Sequence, residues 1–159
     1  MSIRIPLAAG MILGLAALVF AQGRPNFSGE WILNRQASTL SPIAAVVQSG
    51  VVQIEHRDST FRYNATFVSA NGPLQVGYEL RSDGREVGLI QEGITTLFSL
   101  RWEGDALVNR SRIQRPDGEI RISSRYELID GGRRLRAVEQ IRGGVPYQEQ
   151  DNTWIFDRH

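Results

Sequence analysis

The sequence predicts an all-β protein, an antiparallel up-and-down β-barrel of about eight to ten strands. Three observations carry that expectation. From Asn26 onward apolar and polar residues alternate with period two, and no stripe of helical spacing lasts more than a few turns. Turn-forming residues interrupt the alternation roughly every ten positions. The connections are short enough to be hairpins, so neighbours in sequence become antiparallel neighbours in space. A long meander leaves two exposed edges unless its last strand meets its first, and closing into a barrel removes them.

The elements follow in order. In residues 1–21, Arg4 is the only charge ahead of an apolar run from Ile5 to Phe20. The run closes on Val19-Phe20-Ala21, with small residues at the two positions a signal peptidase reads. It is shorter than the ~20 residues of a spanning helix, which favours a removable leader over an anchor. Residues 22–159 then form one domain, with room for a core. The first strand is Asn26-Phe27-Ser28-Gly29-Glu30-Trp31-Ile32-Leu33-Asn34, with Phe27, Gly29, Trp31 and Leu33 on one face. Ser38 to Ser49 is the one stretch suited to a short helix, capped by Ser41 with Pro42 at its first position. Hairpins follow, turning at Asp58-Ser59, Asn71-Gly72-Pro73, Ser82-Asp83-Gly84 and Glu92-Gly93. Further turns fall at Glu103-Gly104-Asp105, Pro116-Asp117-Gly118, Asp130-Gly131-Gly132 and Gly143-Gly144. Closure would set Trp31 antiparallel to the Trp154 region, with Phe27, Trp31, Trp154 and Phe156 plugging one end.

Composition narrows the function classes. There is no cysteine, so the fold stands without disulfides and no lipid can be attached at a lipobox cysteine. Small exported domains of animals usually carry disulfides, so their absence favours a bacterial periplasmic or extracellular protein. The formal net charge is +1, and Arg4 leaves with the leader. Nothing in that balance asks for nucleic acid or an acidic substrate. Every basic residue is arginine, which a GC-rich genome explains.

Asn26-Phe27-Ser28-Gly29-Glu30-Trp31, with Trp102-Glu103-Gly104-Asp105-Ala106-Leu107 and the closing Trp154-Ile155-Phe156, resembles exported bacterial lipocalin-like proteins of the calycin group. The resemblance spans nearly all of residues 22–159, and Gly29-x-Trp31 carries most of it. It implies a barrel whose central cavity takes a small, largely apolar molecule. One departure concerns the ligand. Fatty-acid-binding proteins typically hold a carboxylate with an Arg-x-Tyr pair on the final strand. Here that strand reads Gln150-Asp151-Asn152 and Trp154, so the grip is missing.

Alternation assigns the inward side chains. Tyr63, Tyr78, Trp102 and Tyr126 are expected to form an aromatic wall, and Asn109, Ser111, Gln150 and Asn152 to orient a polar end. If these polar groups, Tyr126 included, sat in a sealed core, each unpaired one would cost about 1–3 kcal/mol. Five such costs approach the stability of a small domain, so the interior should hold water or ligand. Glu139 is the one inward carboxylate, with an ion pair to an arginine near the rim as its default state. Outward, Arg110, Arg112, Arg121, Arg125, Arg134 and Arg136 form a face interrupted by Glu119, Glu127 and Asp130, which reads as a salt-bridged exterior. It lacks the aromatic interleaving of a single-strand nucleic-acid surface, and contact with a membrane surface is not its expected role.

The expected function is non-covalent binding or carriage of a small hydrophobic or amphipathic ligand by an exported monomer, without a cofactor. His56 and His159 are the only histidines, which disfavours transition-metal and haem sites and leaves His56 the single base for triad chemistry. Two rivals remain. One is an interaction or inhibitor barrel acting through a loop or the 35–50 segment. The other is a cofactor-free isomerase or cyclase using Glu139 or His56 as base.

Overall fold

A computed structural model describes residues 23–143 and 149–159. The leader assigned to residues 1–21 and the turn residues Gly144, Tyr147 and Gln148 lie outside the described residues. Ten antiparallel strands form one sheet: β1 (Gly29–Leu33), β2 (Val47–Arg57), β3 (Thr60–Ser69), β4 (Gly72–Arg81), β5 (Val87–Gln91), β6 (Ile94–Glu103), β7 (Ala106–Arg115), β8 (Gly118–Ile129), β9 (Arg134–Gly143) and β10 (Gln150–Arg158). Their spatial order is β4-β3-β2-β1-β10-β9-β8-β7-β6-β5, an up-and-down arrangement in which last strand meets first.

The alternation in the sequence is the alternation in space. Along β2, Gly50, Val52, Ile54 and His56 are buried while Val51, Gln53, Glu55 and Arg57 are exposed. On β3, Phe61, Tyr63 and Ala65 continue the inner face. Gly50 is required for its size: a Cβ there would stand 2.5 Å from the Phe67 ring, which lies across the gap in the β2 surface. The densest packing gathers at one end of the barrel. There Phe27, Trp31, Phe61, Leu100, Leu107 and Leu135 are fully shielded from solvent.

Closure depends on a small contact. β1 meets β10 over three register pairs, Trp31 opposite Arg158, Ile32 opposite Asp157 and Leu33 opposite Phe156. The antiparallel sense is as expected, with Trp31 four residues further along β10 than the Trp154 region proposed. The Arg158 guanidinium lies over the Trp31 ring, 4.2 Å from its centroid. Its Nη1 donates to the Ser28 carbonyl at 3.0 Å and its Nε to the Gly132 carbonyl at 2.9 Å. Trp31 Nε1 donates to the Phe27 carbonyl at 3.1 Å. Gly29 makes this possible, because a Cβ at its φ of +146° would stand 2.9 Å from Arg158 Nη1.

Three expectations are corrected. The proposed aromatic plug is two clusters: Phe27 packs with His56, Phe61 and Trp102, whereas Trp154 and Phe156 pack with Phe67. The turn at Ser82-Asp83-Gly84 does not join a hairpin. The Ser82 N–H bonds the Ser59 carbonyl and the Gly84 N–H bonds the Leu100 carbonyl, so this segment stitches the two sheet edges together at one end. Beyond the stitch β4 pairs only with β3 and β5 only with β6, which leaves a gap between them. Pro73 is tolerated near the start of β4 because that strand is an edge. The helix expected over Ser38–Ser49 reduces to one 3-10 turn at Ala44–Val46, and Val47 already belongs to β2. Ser41 does hold that turn, its Oγ accepting the Ala44 N–H at 3.3 Å.

Trp31→Ala is expected to cost about 3–5 kcal/mol, the usual range for emptying a buried aromatic site. Arg158→Ala should cost about 1–2 kcal/mol, for one cation–π contact and two charge-assisted hydrogen bonds. Urea unfolding of both variants checks the order; equal stability of Arg158→Ala and the parent would show that the guanidinium does not clamp the closure.

Candidate functional site

Away from the packed end, the curled sheet encloses a cavity of about 350 Å³. Six of the nine residues proposed as ligand contacts line it: Tyr63, Tyr78, Asn109, Ser111, Tyr126 and Glu139. Phe67, Val76, Phe98, Ile113, Ile122 and Phe156 supply apolar wall. Thr96, Ser124, Ala137 and Trp154 complete the lining. Most of these follow from the inward alternation; Thr96 extends the series of Phe98 and Leu100 by two residues and was readable the same way.

The tyrosines meet at the floor. Tyr63 and Tyr78 face each other across β3 and β4 and stack at 5.0 Å with 7° between their planes. The Tyr78 and Tyr126 hydroxyls are 2.8 Å apart and share a hydrogen bond, which ties β4 to β8 across the interior. Burial pushes the Tyr126 phenol up to about 12 and those of Tyr63 and Tyr78 well above their ordinary value. All three therefore stay neutral and keep a proton to donate.

One row of the sheet carries several of the other polar groups, with Ser111 and Thr96 outside it. Asn109 on β7 stands opposite Ser124 on β8, Ser124 opposite Glu139 on β9, and Glu139 opposite Asn152 on β10. Glu139 Oε1 accepts from Asn152 Nδ2 at 3.0 Å and from Trp154 Nε1 at 3.2 Å. The expected ion pair with an arginine is absent among the described residues: Glu139 is held by neutral donors. Asn109 Oδ1 is buried with no partner.

Three proposed contacts are corrected. Trp102 lies at the packed end, its ring against Phe27 and His56 and its Nε1 donating to Asp58 Oδ1 at 3.3 Å. Gln150 and Asn152 are spent on structure. Strand β1 is only five residues long, so the first half of β10 needs another partner, and the segment after β1 supplies it. Thr39 bridges Thr153; Asn152 Oδ1 accepts the Ser41 N–H at 2.8 Å, and Gln150 Oε1 accepts from Ser41 Oγ at 3.1 Å. No pattern in the sequence announces this irregular strand.

His56, the other candidate base, is also outside the cavity. It is buried at the packed end, with Nδ1 accepting the Phe27 N–H at 3.3 Å and Nε2 4.0 Å from Asp58 Oδ1. Desolvation lowers its pKa, and the Asp58 carboxylate only partly offsets this. Outside the barrel, the arginine face is salt-bridged as expected: Arg112 reaches Glu86, Arg125 reaches Glu103 and Glu127, Arg134 reaches Asp130 and Asp157, and Arg136 reaches Glu127. Among the described residues no three His, Asp or Glu side chains gather to hold a metal ion.

No family model matches the chain, and no curated protein matches it in sequence. Solved structures do match in fold. A secretory abundant heat soluble protein of Ramazzottius varieornatus superposes with a TM-score of 0.55 at 10% identity, over 83% of this chain and 94% of that one. Human cRBP IV gives 0.54 at 16% identity, over 86% and 100%. A variant of the REP1-NXSQ fatty acid transporter gives 0.52 at 14% identity, over 83% and 97%. The fold is thus similar to that of the fatty-acid-binding-protein- and lipocalin-like barrels.

The histidine makes a pH prediction. A base whose folded pKa lies below its unfolded 6.5 stays neutral to lower pH in the native state than in the unfolded chain. Its contribution to stability is complete above pH 6.5 and is lost as the pH falls toward the folded value. The urea midpoint should therefore drop between pH 7.5 and 5, and His56→Phe should flatten that part of the profile. An unchanged slope in the variant would assign the pH dependence elsewhere.

Proposed function

We propose that this protein binds a small, largely apolar molecule non-covalently inside its barrel, as an exported carrier. The observation that carries the reading is the 350 Å³ cavity, with an apolar wall on most sides and a row of converging polar groups. Its size falls within the range of about 300–1,000 Å³ typical of small-molecule sites. A sealed core would fill that space with side chains; here the volume is kept, and the orphaned Asn109 Oδ1 costs about 1–3 kcal/mol unless something occupies it. That the REP1-NXSQ protein of the same fold is a fatty acid transporter supports a carrier role for such a cavity. Export rests on the leader-like residues 1–21 alone. An enzymatic reading loses His56, which the packed end walls off, and keeps only Glu139.

A second reading has one observation in its favour. Leu74, Val87, Leu89, Ile90 and Ile94 are exposed along the edges flanking the β4–β5 gap, a surface that suits a protein contact as well as ligand entrance.

Nile red, a neutral apolar dye, tests the carrier reading. The parent should show saturable emission with one dye per chain. Ser111→Phe places a ring in the cavity and should weaken that binding at least tenfold with the urea midpoint retained. Equal binding by both proteins would put the dye on the outer surface and remove the support.

A further inference from the structure

The charge balance inside the cavity is one-sided. Among the described residues Glu139 is the only ionisable group on its lining besides the three phenols, and no arginine, lysine or histidine lines it. Among the described residues its carboxylate meets no ion-pair partner; Asn152 Nδ2 and Trp154 Nε1 both bind Oε1, and Oε2 has no donor there. These two donors fix the group's orientation and leave its charge uncompensated. Its neighbours are aromatic. Trp154 hydrogen-bonds it directly and packs against Phe67, and the negative charge is close enough to Tyr63 and Tyr126 to help raise their phenols after burial has done so. Aromatic rings clustered beside a carboxylate offer faces to an organic cation seated next to it. The second polar feature points the same way: Asn109 Oδ1, in the same sheet row, is an acceptor with no donor.

We propose that the ligand's polar end is a protonated amine, paired with Glu139 Oε2 among Trp154, Phe67 and the tyrosines, and that its apolar body fills the rest of the cavity. Asn109 supplies a second acceptor for the same end or for a hydroxyl beside it. A fatty acid is disfavoured. Its carboxylate would enter a low-dielectric space that holds a negative charge and no countercharge. A neutral alcohol takes the same hydrogen bonds without the charge pairing and ranks between the two.

This inference rests on the carrier reading, and the test separates the two. Dodecylamine, dodecanol and dodecanoate share one chain and differ at the head. Each is titrated into the full protein at pH 7, below its aggregation threshold, as a competitor of bound Nile red. The expected order is amine tightest, then alcohol, then acid, with at least tenfold between amine and acid. Glu139→Gln keeps an oxygen to accept from Asn152 and Trp154 and removes the charge. It should cut amine affinity at least tenfold and leave dodecanol within about twofold. Dodecanoate binding as tightly as the amine, or an unchanged amine-to-alcohol ratio in Glu139→Gln, would overturn the amine assignment and leave the carrier reading standing. Failure of all three to displace dye, with no saturable dye binding in the first place, would remove the carrier reading itself.

Discussion

The barrel depends on the contact of Arg158 with Trp31. Strands β1 to β4 form one part of the sheet and β5 to β10 the other, and their only continuous junction among the described residues is the pairing of β1 with β10. That junction is three register pairs long. Backbone hydrogen bonds alone make such a short seam weak, so the side chains reinforce it. A guanidinium laid over a buried indole joins the last strand to the first and bonds the carbonyls of Ser28 and Gly132 on either side. Asn34 adds a hydrogen bond to Asp157 at 2.7 Å. At the opposite side of the barrel the stitch from Ser82 and Gly84 serves as a smaller second junction. Between these two fastenings the sheet is held curved without needing a filled interior.

The cavity follows from that arrangement. Aromatic and aliphatic side chains crowd the end where both fastenings lie, and the phenols of Tyr63, Tyr78 and Tyr126 form the boundary between packed core and open space. Above them several inward positions are small or polar: Ser111, Ser124, Ala137, Asn109 and Glu139 cannot fill the volume that leucines would. The same choice of residues that leaves the space open also gives it a row of polar groups and a carboxylate, that of Glu139.

Much of this was legible in the chain. Strict alternation placed Tyr63, Tyr78, Asn109, Ser111, Tyr126 and Glu139 inside, and a period of two leaves no freedom once one face is buried. Gly29-x-Trp31 marked the closing strand, where the glycine takes a φ of +146° and a Cβ would crowd the tip of the arginine that covers the indole. Other features were hidden for identifiable reasons. Alternation tells in from out but not depth, so Trp102 was assigned to the cavity when it belongs to the packed end. Turn chemistry marks a reversal but not whether the flanking strands pair, so the β4–β5 gap was read as a hairpin. Gln150 and Asn152 were claimed by a segment whose only regular feature is the Ser41 turn. The ion pair expected of Glu139 is missing among the described residues because the arginines near it on β9, Arg136 and Arg142, are bound outside the barrel by Glu127 and Asp151.

Native mass spectrometry of the protein, purified from its own host without detergent, tests the central claim most directly. The account predicts a reproducible extra mass, in the range of a small molecule, that leaves on denaturation. A clean ligand-free mass, with no uptake after exposure to a lipid extract of the host, would contradict the claim that this cavity exists to hold a small molecule.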